Sequence, residues 1–378
     1  MKKGWQTKTL GDICEMYQPK TISGKDMIED GKYLVYGANG VIGRYNEFNH
    51  EDPQLLITCR GATCGSVNVS APRSWVTGNA MVVRPKYESL EMRYLEYLFR
   101  GGIDISKAIT GAAQPQITRT NLEPLEISFP ESLVEQQRIV GLLDEAFEGL
   151  ATAKANAKKN LQNARALFES HLKSVFTQCG PGWVEKHLKD VCEKITDGTH
   201  QTPKYFDEGI VFLSSRNVTS GTIDWDRIKY IDTKQHLEMH KRVAPRRNDI
   251  LLAKNGTTGV AAIVDRDTTF DIYVSLALLR ALPVMRPRFL LHFINSPAAK
   301  GQFNKRLKGI GVPNLHLEEI REVRLSFPAD LMAQDRVVDE LDNLREKTQR
   351  LARLYERKLA VLEALKRSLL HQAFSGEL

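Results

Sequence analysis

Several turns of this chain mix cations with amides and hydroxyls, a combination suited to the edges of nucleic-acid bases. In Asn39 to Tyr45 the candidates are Asn39, Arg44 and Tyr45, and in Arg60-Gly61-Ala62-Thr63-Cys64-Gly65 the candidate is Arg60. In the second half they are His200 of Asp197-Gly198-Thr199-His200, and Arg216 and Asn217 of Ser214-Ser215-Arg216-Asn217. Lys254, Asn255, Thr257 and Thr258 of one further turn complete the set. Arg bonds guanine O6 and N7 bidentately, and Asn does the same for adenine N6 and N7. Lys107 and Arg119 in one half, and Lys305, Arg306 and Lys308 in the other, suit phosphate oxygens. Taken singly, each is first of all a solvated surface group. Taken together they carry more, because similar turns recur at matched places in both halves.

Catalytic signatures do not stand out. The chain has no GxxxxGK[ST] loop, no HExxH and no GxSxG elbow. It has no aromatic-ending Pro-Pro tetrapeptide of the amino-methyltransferase kind, and no carboxylate cluster of a metal nuclease. The glycine spacing of Gly37 to Gly43 lacks the strand–helix context and acidic residue of a dinucleotide site. His200, His236 and His240 read as surface histidines. Cys59 and Cys64 lack a second close Cys/His pair, so no metal site is expected. Five cysteines, an odd number, fit a reducing compartment, and the cytoplasm is the expected location. The formal charge of +7 favours an anionic partner. No apolar run approaches 18 residues and no apolar segment follows the N-terminal lysines, so neither a membrane span nor a signal peptide is expected.

The elements that must position these turns come in two copies. Gln136, Arg138, Val140, Leu143, Asp144, Leu167, Ser170, Leu172 and Phe176 recur at a constant offset (334 − 136 = 198) as Gln334, Arg336, Val338, Leu341, Asp342, Leu365, Ser368, Leu370 and Phe374. A repeat of this kind governs the whole fold. Each copy predicts one long helix. Ile139, Leu143, Ala146, Leu150, Ala153, Ala157, Ala164 and Leu167 form a stripe with the 3.5-residue period of a coiled-coil seam. Val337, Leu341, Leu344, Leu351, Leu362, Leu365 and Leu369 repeat it. The residues assigned to helix pairing are Leu143, Leu150, Leu167, Leu341, Leu344, Leu351 and Leu365. A stripe this long must be covered. Pairing of the two copies within one chain is preferred over a homodimer, because both copies share one polypeptide.

Before each helix lies a globular segment. Trp5, Leu10, Asp12, Cys14 and Glu15 recur as Trp183, Leu188, Asp190, Cys192 and Glu193, offset by 178 (183 − 5 = 178). The second segment therefore carries about 20 extra residues (198 − 178 = 20). Strands are predicted at Tyr33 to Tyr36, Gln54 to Thr58, Ala80 to Val83, Val211 to Leu213, Asp249 to Ala253 and Val274 to Leu279, and a turn-rich loop at Gly37 to Arg44. The expected fold class is α+β. Two mixed α/β segments, 1–130 and 179–328, alternate with helices at 131–178 and 329–378. The helices are expected to pair as an intramolecular antiparallel coiled coil with a pseudo-twofold. By the repeat, Phe374 should approach Trp5 and bring the chain ends together.

This order of parts resembles the specificity subunit of type I restriction-modification systems over essentially the whole chain. The resemblance rests on the Trp-x4-Leu-x-Asp entries at Trp5 and Trp183, the Asp197-Gly198-Thr199-His200 loop and the Asp249-Ile250-Leu251-Leu252 strand. It rests also on the Phe129-Pro130 and Phe327-Pro328 exits, the Glu135-Gln136-Gln137-Arg138 and Ala333-Gln334-Asp335-Arg336 helix openings, and the Leu369-to-Gly376 ending. The first half departs from the pattern in lacking the Asp-Gly-Thr-His loop. The resemblance implies two target-recognition domains that each read half of a split double-stranded DNA sequence, and helices that set the gap. It implies modification (methyltransferase) subunits, two of them, bound to the helices, and restriction subunits that join them. S-adenosylmethionine, ATP and Mg would belong to those partners, with no cofactor and no catalysis in this chain. A coiled-coil interaction scaffold without specific DNA readout is the alternative.

Overall fold

Two proline-free runs form single long helices, Leu133–Thr177 and Leu331–Ser375. The computed structural model describes residues 4–111, 113–218, 221–256, 258–307 and 314–378. Thr257 and Lys308 lie outside the described residues. The chain divides into two compact units, Met1–Lys158 with Arg357–Leu378, and Lys159–Glu356.

In the first unit, Trp5–Thr9 pairs antiparallel with Glu126–Pro130, Trp5 opposite Pro130. A four-stranded sheet runs in the order Cys14–Tyr17, Ala80–Pro85, Leu55–Thr58, Val67–Val69. A three-stranded sheet runs in the order Gly40–Tyr45, Tyr33–Gly37, Trp75–Val76, and its last pair is parallel. The two inner strands of the larger sheet are covered on both faces. Leu55, Ile57, Met81 and Val83 face the main core with Tyr94, Leu95 and the long-helix residues Ile139 and Leu143. Leu56, Ala80 and Val82 face Tyr36 and Val76. This is why these strands read as continuous apolar runs rather than alternating ones.

The second unit repeats the plan. Trp183–His187 pairs with Arg324–Pro328, Trp183 opposite Pro328. The larger sheet is ordered Cys192–Asp197, Leu276–Ala281, Ile250–Ala253, Ala261–Ile263, and the smaller Lys229–Ile231, Ile210–Leu213, Phe270–Ile272. Ile250, Leu252, Ala277 and Leu279 face one core, and Leu251, Ala253, Leu276 and Leu278 the other.

One segment differs from the sequence reading. Gly37 to Arg44 is not a loop but most of a β-hairpin, with Ala38-Asn39 as its two-residue turn. Gly40 takes φ +102°, which favours glycine. Glycines hide the strand signal here. A Cβ at Gly37 would lie 2.7 Å from Ile42, and one at Gly43 2.7 Å from the sulfur of Met27.

Each unit contains a stretch of both long helices, and in each the stretches run antiparallel. In the first unit Lys154 pairs with Glu363, the Lys366 ammonium lies 5.2 Å from the Phe147 ring centroid, and Arg138 donates to the Leu378 carbonyl at 3.0 Å. In the second, Arg165 meets Glu356 at 2.8 Å, Arg345 lies 5.0 Å from the Phe168 centroid, and His171 meets Glu340 at 2.9 Å. Positions 147 and 345 are equivalent by the repeat, as are 168 and 366 (345 − 147 = 366 − 168 = 198). Each unit thus holds one ring and one cation at the same two places, in swapped order.

The seam itself corrects the sequence reading by one residue. Leu143 and Leu341 are buried, and Leu150 and Leu344 half-buried, but Leu167 is 53% exposed, Leu351 38% and Leu365 45%. The second stripe runs instead through Phe147, Lys154, Leu161 and Phe168, and through Arg345, Ala352 and Leu359, all partly buried. One step along a helix turns the side chain by about 100°. Two adjacent stripes were both apolar enough, and the rings of Phe147 and Phe168 remove more surface from water than Ala146 or one leucine. Phe374 and Trp5 pack on the same core of the first unit, as Phe176 and Trp183 do in the second. Gly4 accepts from the Glu131 amide at 3.0 Å, so both chain ends reach the start of the first long helix.

Candidate nucleic-acid interface

In the second unit the candidate turns converge where the two sheets meet. Ser275 holds them together. Its hydroxyl accepts from the Ser215 amide at 3.0 Å, and its carbonyl accepts from the Lys254 amide at 3.0 Å. Next to it, Val274 donates its amide to the Thr199 carbonyl at 2.9 Å. The Asp197–His200 loop, the Ser214–Asn217 turn and the turn after Ile250–Ala253 are therefore neighbours. Gly198 has no room for a side chain, since a Cβ there would lie 1.9 Å from the Ile272 carbonyl oxygen.

Asp197 is the electrostatic centre of this cluster. Its buried carboxylate accepts from Arg242 at 2.7 Å, meets the Lys254 ammonium at 3.1 Å, and lies 3.3 Å from Nε2 of His200. Burial alone would push its pKa up. The hydrogen bonds from Arg242 and Lys254 outweigh that and hold it below the usual carboxylate range. Lys254, expected in a solvent-facing turn, is thus buried, its ammonium against Asp197 rather than in solvent. Asn217 is buried as well. Its amide oxygen accepts from the Ser214 amide at 2.9 Å, and its nitrogen donates to the Asp224 and Arg227 carbonyls. Both residues build the turns rather than face outward. His200 and Arg216 are exposed, and Asn255 and Thr258 half-exposed. Lys305 is exposed at the end of helix Pro297–Arg306, while Arg306 donates back to the Gln302 and Glu322 carbonyls.

Three contributors were missed from sequence. Arg242 carries no local signal of its own, because its role needs the long-range approach of Asp197. Tyr205 and Phe206 are both 39% exposed, with Lys229 3.9 Å from one ring centroid and Lys204 5.5 Å from the other. The run Lys204-Tyr205-Phe206 was the available signal, because interleaved cations and rings are a stacking platform for bases.

In the first unit the same place is built differently. The hairpin turn at Ala38 accepts from the Thr58 hydroxyl, which sets Asn39 beside the turn that carries Arg60. That turn lies against the Pro115–Ile117 segment, with Gly61 donating to the Pro115 carbonyl at 3.0 Å and Ile117 to Cys59 at 2.9 Å. The second unit matches this with Leu315 donating to the Lys254 carbonyl at 2.9 Å, so Cys59 stands where Lys254 does (315 − 117 = 198). A bulge after Cys192 puts Ile195 level with Met16 across the equivalent strand residues Leu279 and Val83, so position 197 corresponds to Gln18 (195 − 16 = 197 − 18 = 179), and the first unit has an amide there rather than a carboxylate to pair with a buried lysine.

Asn39, Arg60, Lys107 and Arg119 are all exposed. Asn121 ties the Lys107 and Arg119 segments together by donating to the Ala108 carbonyl at 3.3 Å. Arg119 is paired with Glu123 at 2.6 Å. Arg44 and Tyr45 sit at the far end of the hairpin from Asn39. Arg44 donates to the Gly31 carbonyl there, and Tyr45 packs edge-on to Trp75.

Two sheet-and-turn modules with the same strand order, each joined to a stretch of long paired helices, define a duplicated scaffold with unlike loops. A sequence profile of the type I restriction modification DNA specificity domain matches residues 2–162 and 181–358, and the chain belongs to that family. It is 28% identical over 142 residues to the EcoprrI specificity subunit of Escherichia coli, covering 36% of this chain and 35% of the relative. With the EcoBI specificity subunit of the same species the figures are 25% over 174 residues, 45% and 36%. The matched part thus spans about a third of each of these two relatives. A putative type I specificity subunit of Haemophilus influenzae, S.HindORF215P, is 22% identical over 84% of this chain and 81% of its own. Among solved structures, a chain from a study of complex assembly and conformational transition in a type I R-M system superposes with a TM-score of 0.78 at 19% identity. It covers 100% of this chain and 99% of its own length. The HsdS subunit of Thermoanaerobacter tengcongensis gives 0.63 at 18%, covering 100% and 98%. At these identities the structures speak for the fold. Among the described residues no helix is long and apolar enough to cross a membrane.

Proposed function

We propose that this chain is the noncatalytic DNA-specificity subunit of a type I restriction-modification complex. The observation that carries the proposal is the duplication: two modules share strand order, the pairing of their entry and exit strands, and helix junctions, yet differ in the turns at one end of their sheets. A fixed frame with variable turns suits two readers of two different half-sites. The domains are taken as 1–130 and 179–328, with spacer helices at 131–178 and 329–378. The helices pair within the chain as an antiparallel coiled coil, relate the readers by a pseudo-twofold and set the gap between half-sites.

Base and backbone contacts in this reading come from exposed and half-exposed residues: Asn39, Arg60, Lys107 and Arg119 in one module, and His200, Arg216, Asn255 and Thr258 of the converging turns with Lys305 at a helix end in the other. Lys254 and Asn217 act behind them by shaping the turns. Leu354 and Val361, each 58% exposed, and Leu365 leave apolar surface along the second long helix. That surface supports the binding of modification subunits, which would supply S-adenosylmethionine chemistry. Restriction subunits would bring ATP and Mg.

The test is module replacement followed by mapping of methylated bases. Exchanging residues 1–130 for another reader should change one half-site and leave the other and the gap intact. Methylation marks that stay the same after either exchange would reject the assignment.

A further inference from the structure

We propose that His236, His240 and Asp271 form a binding site for a divalent transition-metal ion of the zinc class, which staples the helix Thr233–His240 to the strand Phe270–Ile272. The helix is tethered at Gln235, which exchanges two hydrogen bonds with the Lys204 backbone. None of its eight side chains is buried, so apolar packing does little to hold it. What it does offer is two imidazoles four residues apart, and therefore on one face. Their ring centroids are 4.6 Å apart.

Both imidazoles meet one carboxylate. Nδ1 of His236 lies 2.7 Å from Oδ2 of Asp271, and Nδ1 of His240 lies 3.0 Å from Oδ1. The Asp271 side chain is 1% exposed, on a strand whose other two residues, Phe270 and Ile272, are buried. A carboxylate is rarely placed so deep without a partner that carries charge. One donor atom from each of the three residues lies within 4.8 Å of the others, and among the described residues this is the one such meeting of His, Cys, Asp or Glu donors.

Zinc takes imidazole nitrogen and carboxylate oxygen at about 2.0–2.2 Å in a tetrahedron, which sets donors roughly 3.4 Å apart. The two contacts of 2.7 and 3.0 Å would open by about 0.4–0.7 Å to reach that spacing. Three protein donors leave a fourth position to water. Two nitrogens and one oxygen suit zinc, cobalt, nickel or copper, whereas calcium and magnesium prefer oxygen alone. The three residues lie in the second unit only, and the proposal is independent of which bases that unit reads.

The experiment uses the full chain, freed of metal by chelation, then titrated with Co2+ and back-titrated with Zn2+. The expected result is saturable uptake of one equivalent of Co2+ with visible absorption, its displacement by Zn2+, and a raised unfolding temperature. His236→Gln and His240→Gln should each weaken uptake by about 100-fold or more. His316→Gln, at an exposed histidine elsewhere in the unit, should leave it unchanged. Absence of stoichiometric uptake by the unaltered chain overturns the site without any variant. Equal uptake by the His236 and His240 variants overturns the assignment of ligands.

Discussion

Gln136 and Gln334 stand 198 positions apart and make the same three hydrogen bonds. Nε2 of Gln136 donates to the Pro130 carbonyl at 2.9 Å and the Ser89 carbonyl at 3.0 Å, and its Oε1 accepts from the Glu91 amide at 2.8 Å. Gln334 repeats this with Pro328 at 2.9 Å, Val284 at 3.0 Å and Arg286 at 2.8 Å. Both side chains are fully buried. Each one pins the start of a long helix to the strand that delivers it and to the loop that opens an earlier helix of its module, Met92–Tyr97 or Pro287–Asn295.

Replacing Gln334 by Ala would unpair one buried backbone group, the Pro328 carbonyl, and two part-buried ones, on Val284 and Arg286. A buried unpaired group costs about 1–3 kcal/mol, so a loss of about 2 kcal/mol or more is expected in urea unfolding, and Gln136→Ala should match it. A loss under about 1 kcal/mol at both sites would show that these bonds do not fasten the junction.

Lys254 and Lys305 should separate cleanly. Removing one member of a buried ion pair costs about 3–5 kcal/mol, so Lys254→Met should lower stability strongly. Lys305→Ala, at an exposed site, should leave stability alone and reduce the slope of log K against log salt for DNA binding by about 0.9. If Lys254→Met instead lowers that slope with stability intact, Lys254 reaches phosphate and its pairing with Asp197 is not what holds it.

His292 makes the second unit sensitive to acid. Burial first, and Arg345 second, push its pKa down from 6.5 to about 4, against the opposing pull of Asp342. Its Nε2 lies 2.9 Å from Asp342, and Nδ1 lies 3.3 Å from Arg345 and accepts from it, the pattern of a neutral ring. The unfolded chain takes up the proton more readily, so this contribution is fully present above pH 6.5 and is lost as pH falls towards about 4. The loss is on the order of 3 kcal/mol. A His292→Gln variant should flatten that part of the pH–stability curve measured in denaturant, and an unchanged slope would contradict the assignment.

The seam can be tested by leucine truncation. Leu143→Ala and Leu341→Ala should each cost about 2–5 kcal/mol, as buried leucines do. Leu167→Ala and Leu365→Ala should cost less than about 1 kcal/mol in the isolated chain. Equal losses at all four sites would restore the stripe drawn through Leu167 and Leu365.

Sequence alone determined the duplication, the two long helices, the buried strands and the kinship with DNA-specificity subunits. These are legible because they rest on period, on apolar content and on the recurrence of residues at fixed offsets. The hairpin at Tyr33–Tyr45 escaped because its glycines, chosen for close approach, carry no strand signal. Tertiary structure decided the rest. Whether a lysine in a polar turn faces solvent or a carboxylate depends on whether Asp197 arrives from 57 positions away (254 − 197 = 57). Which of two adjacent stripes closes the seam depends on what the partner helix presents. The meeting of His236, His240 and Asp271 has the same origin. A side chain's type is local, but its burial and its partners come from segments that only the completed fold brings together.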